Sequence, residues 1–560
     1  MEERRARRRE ELLVLMASAL LLLPRLGALG LWAPDEPRYA QVAEELRSFA
    51  HGPSGLFVLH LNGEAYEQKP PLYFWAAALA GAPGGRVTEG AARLPSALAG
   101  IACVALTMRL GALLLSPRAS VLGGLFLLTT LEFAHLARRV QLDIVLTLFE
   151  LAALYAFVRL EKKKGSRAAN LVGLHAALGL AVLTKGPVGL LPLLVLAVAL
   201  GFEGRLAALR GLFPAWSPLL SLAPPLAWLA AAATLAPAGF FHAAVVQNLW
   251  GRVAEGTAHP RPFYYYAYQF PLDFLPWSLL WPFLPAVAWR RIFASSVDPE
   301  RRWAWRFLLS WVGTTFVVFS LFAGKRGLYL VPAAPAAALL CADALLLAVP
   351  ERQSWPRALS YLAPALAASL FTVGARLALF PQVWGQPLPW TFGAAVAAVA
   401  AAGAAAWMWL GRRAPTASER AALGRIGVAI ASAFALLALA FYLLYPSLDD
   451  EKSPRPVALA AAAFAPPGEP IGLLGRSPLV GGLVYYGGRA VVELDSPLDA
   501  RAFLARGGRV IVLDAKKLDR LMAVVPVEVR TRARADDRTL LVVTPQKDVA
   551  EGPPEVPSAP

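Results

Sequence analysis

Two carboxylates stand side by side just past the first long apolar run of this chain, in Trp32-Ala33-Pro34-Asp35-Glu36-Pro37-Arg38-Tyr39. An acid pair directly beyond a membrane span is well placed to act as a general base at the lipid surface. It equally suits the first turn of a helix over Arg38–Phe49, so base and helix cap both stand as readings. Lys69 precedes Pro70 and Pro71, which hold its backbone extended, and Tyr73, Phe74 and Trp75 after it suit the headgroup level. An ammonium there either holds an anion such as a lipid phosphate or anchors the interface.

Three further places carry chemistry-bearing residues. Asp143, in Arg138-Arg139-Val140-Gln141-Leu142-Asp143, opens an apolar run on its outer side. Lys185, in Leu183-Thr184-Lys185-Gly186-Pro187, and Lys325, in Gly324-Lys325-Arg326-Gly327-Leu328-Tyr329, occupy basic turns on that side, against the usual charge bias, and anion binding accounts for them better than topology does. The stretch Phe240–Phe270 gathers nine aromatics with Gln247, Asn248, Arg252 and His259, a composition suited to a lid or groove over lipid chains or a sugar. His175 lies inside an apolar run and reads as a hydrogen-bonded packing histidine. Span middles are otherwise nearly free of charge, which favours an enzyme at the outer leaflet over a transporter or pump.

The elements that position these groups follow from composition. Of the 560 residues 57% are hydrophobic and only 16% charged, which excludes an ordinary soluble enzyme, a disordered chain and a disulfide scaffold. The net charge of +16 resides in short loops between apolar runs, so it reads as a topology signal and not as a nucleic-acid surface. Cys103 and Cys341 lie in apolar stretches and imply neither disulfides nor a zinc cluster.

Hydropathy gives fourteen candidate spans, one of which, Leu72–Pro83, is too short to cross. Leaving it in the outer interface makes the inward loops those around Arg118, Glu161–Arg167, Glu203–Arg210, Arg290–Arg306, Glu351–Arg357 and Arg412–Arg425, all of them basic. The expectation is thus an α-helical polytopic membrane protein with about thirteen transmembrane helices, at 12–32, 91–115, 118–136, 144–160, 168–184, 186–202, 214–236, 270–290, 304–323, 326–349, 356–380, 388–410 and 422–445. The N-terminus, with five arginines in its first ten residues, is cytoplasmic. Loops 33–90 and 237–269 and everything after Tyr445 face outward from the cytoplasmic membrane.

After Ser447 the pattern changes. Short apolar runs at Ile471–Leu474, Ala490–Leu494, Val510–Asp514, Val527–Val529 and Leu540–Thr544 alternate with helical patterns at Pro497–Arg506 and Leu518–Val525. This predicts a transmembrane domain over 1–446, a small extracytoplasmic α/β domain over 447–545, accessory in role, and a disordered tail over 546–560.

Taken in order, these motifs resemble the polyprenyl-phosphate-sugar-dependent transferases of the type C glycosyltransferase fold, specifically the lipid A aminoarabinose transferases and protein O-mannosyltransferases. The matching pieces are Asp35-Glu36-Pro37-Arg38-Tyr39-Ala40, His60-Leu61-Asn62-Gly63 with Tyr66 and Lys69-Pro70-Pro71-Leu72, Ala92-Arg93-Leu94-Pro95-Ser96, Leu142-Asp143, Leu183-Thr184-Lys185-Gly186, Phe263-Tyr264-Tyr265, Leu275-Pro276-Trp277, and Gly324-Lys325 before Tyr329. The resemblance implies that Asp35 activates the acceptor hydroxyl, that Lys69 meets the lipid phosphate, and that Asp143 is a second acid of a cavity lined by Arg38, Tyr39 and Tyr329. The family also has thirteen spans and an outward α/β tail. In the aminoarabinose transferases a Glu precedes the motif lysine and Glu-His stands in the second outer loop; this chain has Gln68 and Gln247-Asn248 there. Those residues form a possible metal site in the family, and neutral amides are poor zinc ligands. A metal-free reaction is therefore expected, although Asp35, Glu36, Glu67 and Asp143 can hold a hard cation such as magnesium through oxygen.

The function this implies is inverting transfer of a sugar from a polyprenyl phosphate to an acceptor, which is lipid A, another envelope glycan or a protein. The expected partners are the donor lipid, the acceptor and membrane lipids. A lipid flippase or transporter, and a non-catalytic envelope assembly protein, are the competing readings; a base at the membrane surface distinguishes the enzyme from both.

Overall fold

The computed structural model describes residues 2–240, 242, 260–294, 297–348, 354–379, 382–383, 386–413, 419–475 and 478–546. They fold into two compact units. The first takes Met1–Leu26, Glu67–Tyr73 and Arg93–Ser447, the second Gly27–Tyr66, Phe74–Ala92 and Leu448–Pro560.

The first unit is helical. Among the described residues six helices of the chain are long and apolar enough to cross a membrane, and the bent pair Pro117–Leu128 and Leu131–Ala137 makes a seventh if counted as one span. Other runs expected as spans form shorter pieces, because proline removes a helix hydrogen bond. The 270–290 run, for example, falls to Tyr265–Asp273, a 3-10 turn at Trp277–Phe283 and Leu284–Phe293, with Pro271, Pro276, Pro282 and Pro285 along it. The 66° bend of the pair also has a local cause. Thr129 and Thr130 turn their hydroxyls back onto the carbonyls of Leu125 (2.6 Å) and Phe126 (2.8 Å), and the Leu131 amide donates instead to Leu275 O at 2.9 Å. Arg138, after the second helix of the pair, donates to the carbonyls of Leu21 (2.8 Å), Leu22 (3.0 Å) and Pro24 (2.9 Å). It satisfies the C-terminal end of the Glu2–Leu22 helix with a cation, where the helix dipole favours one. His175 is fully buried and bonds Leu212 O at 2.8 Å between Phe213 and Trp216, a packing role as expected.

The second unit is built on a sheet. The hairpin of β1 (His60–Leu61) and β2 (Glu64–Ala65) precedes five strands: β3 (Ile471–Leu474), β4 (Val491–Leu494), β5 (Ile511–Asp514), β6 (Val527–Ala535) and β7 (Arg538–Pro545). Their order is β4-β3-β5-β7-β6; the first three are parallel, and β7 runs antiparallel to both neighbours. β3 and most of β5 are buried apolar runs, as central parallel strands require. β6 is an edge strand whose exposed arginines alternate with half-buried smaller residues, a pattern that discourages further pairing. Ser496 and Asp499 form a capping box that starts the Pro497–Ala505 helix after β4.

The expected strand runs all fall on strands, and β6 continues six residues past Val529. Leu72–Gly81 is a ten-residue helix, about 15 Å long and half the thickness of a hydrocarbon core.

Candidate active site

In the first unit the ends of two helices meet. Asp143 lies in the first turn of the Leu142–Glu161 helix and Lys185 is the last residue of the Arg167–Lys185 helix. Each charge sits where its helix dipole favours it. The Lys185 ammonium donates to Asp143 Oδ1 at 2.5 Å and lies 4.5 Å from the centroid of the Tyr329 ring. Asp143 is 3% exposed, so this pair is largely removed from water. Gly186, at φ +76°, ends the lysine's helix in a conformation that side chains resist. Tyr329 comes from the 3-10 turn Gly327–Ala333 and rests against Phe319. Three of the expected residues are thus brought together by three separate elements.

Lys69 is half-buried in the Glu67–Tyr73 segment of the same unit. That segment is fixed through Ser96. Its hydroxyl donates to Gln141 O (3.0 Å), accepts from the Gln141 amide (3.1 Å) and pairs with Tyr73 at 2.9 Å. One serine therefore ties the chain four residues after Lys69 to the chain two residues before Asp143. The fully buried Ser96 belongs to the Ala92–Ser96 motif, whose role is positional.

Lys325 is 4% exposed and its ammonium donates to the carbonyls of Arg261, at 3.1 Å, and Phe322. It holds the Gly324 turn beside Pro260, with which Gly324 forms a β-bridge. Asn248, with Gln247, Arg252 and His259, lies outside the described residues.

Sequence reasoning missed three acids in this unit. Glu150, 1% exposed, lies two turns along the helix from Asp143, inside an expected span whose middle was read as uncharged. Glu132 and Asp273 line a small crevice with Thr130, Phe270 and Gly327. Asp273 accepts from Gln269 Nε2 at 2.6 Å, and a Cβ on Gly327 would lie 2.8 Å from its other oxygen. The signal for all three was an isolated acid in an apolar run.

In the second unit the Asp35–Arg47 helix begins with both acids buried, Asp35 6% and Glu36 3% exposed. They do different work. Glu36 Oε2 accepts from the Trp32 amide at 2.9 Å and closes the chain onto the helix start. The Asp35 carboxylate pairs with Arg38 one turn on. Arg38 lies 5.2 Å from the centroid of the Tyr39 ring. Burial would lower the Arg38 pKa, but Tyr66, Tyr39 and Asp35 outweigh it and raise the guanidinium above its ordinary value, so it stays charged. Tyr39 and Tyr66 both meet Phe74 edge-on.

Two glycines of the Val480–Gly487 helix let this helix start seat closely. A Cβ on Gly481 would lie 2.5 Å from Arg38 Cα, and one on Gly482 would lie 2.9 Å from Pro454 Cβ. The His60–Gly63 motif is also a latch. Asn62, at φ +58°, donates through Nδ2 to Val491 O at 2.7 Å and accepts from the Val491 amide at 2.9 Å, so its amide continues the ladder at the β4 edge. Glu45 holds the turn by accepting from the amides of Asn62 (2.7 Å) and Gly63 (3.2 Å) and from Gln41 (3.0 Å). His51 pairs with Glu45 at 3.2 Å and stacks on His60. Burial and the neighbouring His51 lower the His60 pKa.

Gln68, in the position of a family metal ligand, is a neutral amide, and Asn248 is not described. Among the described residues no three His, Cys, Asp or Glu side chains come together as metal ligands.

A family model described as dolichyl-phosphate-mannose-protein mannosyltransferase matches residues 68–229. An undecaprenyl phosphate-alpha-4-amino-4-deoxy-L-arabinose arabinosyl transferase of Sodalis glossinidius is 32% identical over 339 residues, 58% of this chain and 58% of the relative. That of Aeromonas salmonicida is 31% identical over 331 residues with the same shares. The chain thus matches under two thirds of these relatives' length. Among solved structures, ArnT from Cupriavidus metallidurans bound to undecaprenyl phosphate superposes with a TM-score of 0.74 at 23% identity, over 97% of this chain and 99% of that one. The archaeal oligosaccharyltransferase AglB from Archaeoglobus fulgidus gives 0.50 at 15% identity, over 92% and 70%. The resemblance read from the motifs therefore holds, and the chain has the helical membrane fold of type C glycosyltransferases.

Proposed function

We propose that this protein is an inverting glycosyltransferase, moving a sugar from a polyprenyl phosphate to an acceptor hydroxyl or phosphate at the outer face of the cytoplasmic membrane. Lipid A, another envelope glycan and a protein are the acceptor classes. The observation that carries this reading is the Asp143–Lys185–Tyr329 cluster: a largely buried cation, oriented by a carboxylate and a ring, at the joined ends of two membrane helices. The relatives' undecaprenyl-phosphate chemistry and the shared fold support it.

The reaction follows from residue types. Asp35 accepts the proton of the acceptor hydroxyl as its oxygen attacks the anomeric carbon. The bond to the polyprenyl phosphate breaks, and the growing negative charge is stabilised by Lys69 and Lys185. One displacement inverts the anomeric centre. Arg38 and Tyr39 orient the base, Glu36 fixes its backbone, and Lys325 holds the turn that carries Tyr329. Thirteen spans, an inside N-terminus and an outside C-terminal sheet complete the proposal. Catalysis without a resident divalent metal belongs to it too; turnover should survive exhaustive chelation, with metal content measured on the same sample, and loss restored by one added metal would reverse this part.

The test is purified protein incubated with a polyprenyl-phosphate sugar and acceptor lipid, with release of polyprenyl phosphate measured. Asp35→Asn should abolish release while donor binding persists, since an amide keeps the shape but takes no proton. Near-normal turnover in that variant would make Asp35 a helix-start residue only.

A further inference from the structure

Two stretches of the first unit meet along their length. Pro260 forms a β-bridge with Gly324, and the Arg261 amide donates to Ala323 O at 3.3 Å. The Lys325 ammonium returns to Arg261 O at 3.1 Å. Further along, the Tyr266 hydroxyl donates to Arg326 O at 3.0 Å. Asp273 then lies against Gly327, where a Cβ would come 2.8 Å from its Oδ2. The stretch Pro260–Asp273 therefore closes on Ala323–Gly327, whose last residue opens the 3-10 turn that carries Tyr329.

The Tyr266 contact reaches directly into that turn. A carbonyl oxygen has two lone pairs, and Arg326 O uses both: it accepts from Tyr266 and, at 3.1 Å, from the Tyr329 amide. One carbonyl thus joins Tyr266 to the residue whose ring lies 4.5 Å from the Lys185 ammonium. Tyr266 is itself well fixed. It is fully buried on the Tyr265–Asp273 helix and meets Phe316 edge-on. A buried tyrosine hydroxyl requires a partner, and here the partner is this turn carbonyl. Gly327 seats the other side of the turn. Its φ is not positive, so what excludes a side chain there is Asp273 and not the backbone. Asp273 Oδ1 takes Gln269 Nε2, while Oδ2 is buried without a hydrogen bond among the described residues, so its contact with the turn is steric.

We propose that Tyr266 is a positioning residue for cleavage of the donor: together with the seat of Gly327 on Asp273, it sets the Tyr329 ring and through it the Lys185 ammonium. The inference rests on Lys185 stabilising the leaving phosphate. A cation held between a carboxylate and a ring face has a defined position. When the turn shifts, the ring moves with it and the ammonium keeps only its bond to Asp143 on that side. Charge on the leaving oxygen grows at one point in space, so a displaced cation costs rate more than it costs binding.

The experiment measures polyprenyl phosphate release by the full chain against donor concentration, with thermal melting of every variant. Tyr266→Phe removes only the hydroxyl and should lower kcat roughly tenfold, within what a small misplacement of a reacting group costs, with donor KM changed much less. In a Tyr329→Leu background the same substitution should cost nothing further, because the ring it aims is gone. Gly327→Ala should also lower kcat, and Gly327→Ala with Asp273→Ala should regain it, since the obstructing oxygen has left. Wild-type kcat in Tyr266→Phe would overturn the proposal. So would an equal loss in both backgrounds, which a general loosening of the fold produces, or a Gly327→Ala loss that Asp273→Ala leaves unrelieved. Lys185→Met, assayed where it remains folded, separates the two levels. An inactive Lys185→Met beside a silent Tyr266→Phe removes only the role of Tyr266, whereas a fully active Lys185→Met removes Lys185 from the reaction and this proposal with it.

Discussion

Lys185 and Asp143 form an ion pair at 2.5 Å, made by the last residue of one helix and the first turn of the helix before it. Asp143 is almost wholly buried, and the lysine also meets the face of Tyr329. Removing one partner of a buried pair leaves an uncompensated charge and typically costs about 3–5 kcal/mol, whereas removing both is often near neutral. Lys185→Met should therefore melt well below wild type, and Asp143→Asn with Lys185→Met should recover most of that loss. If Lys185 also stabilises the leaving phosphate, the double variant should remain inactive in donor turnover. Recovery of both melting temperature and turnover would leave the pair a structural clamp.

The Asn62 latch is a separate, purely structural expectation. Asn62→Ala leaves the amide and carbonyl of Val491 without their side-chain partner and forces alanine into a positive φ. Leaving such groups unmet costs about 1–3 kcal/mol when they are shielded from water. Asn62→Gly relieves the backbone but not the lost hydrogen bonds, so the two variants divide the effect. Limited proteolysis of loop 51–66, with the thermal melt, should show Asn62→Ala most labile and Asn62→Gly intermediate. Equal resistance of all three proteins would mean that Glu45 alone holds the turn.

Much of this was legible in residue patterns, for identifiable reasons. Buried parallel strands must be apolar throughout, so Ile471–Leu474 and Val510–Asp514 stand out from their surroundings. β6 was read too short because its outer half alternates arginine with small residues, which hides a strand at the sheet edge. The Asp35–Glu36 pair left cap and base open, and the structure divides the labour: Glu36 bonds the Trp32 amide while Asp35 faces Arg38. Contacts across some four hundred residues, Gly30 with Asp449 and Asn62 with Val491, leave no periodicity to read. Glu132, Glu150 and Asp273 were passed over because a single acid does not disturb an apolar run. Lys325, whose turn is unusual in charge, gives two of its ammonium's three donors to backbone carbonyls, contacts that charge alone does not reveal.

The thirteen-span topology makes a prediction that length and composition alone do not decide. Six or seven described helices meet a conservative length test, while the charge bias of the loops calls for an odd number of crossings. With Leu72–Gly81 not crossing, the loop at Glu161–Arg167 faces the cytoplasm and the chain after Ser447 faces out. The natural cysteines, Cys103 and Cys341, are both fully buried and should give little background with a bulky, impermeant thiol reagent. Lys164→Cys and Asp450→Cys both introduce thiols at exposed positions. In intact cells Asp450→Cys should be labelled and Lys164→Cys should not; after permeabilisation both should be. The reversed pattern would put Leu72–Gly81 across the membrane. It would also carry the C-terminal sheet to the cytoplasmic side while leaving Asp35 and Lys69, which precede that helix, outside.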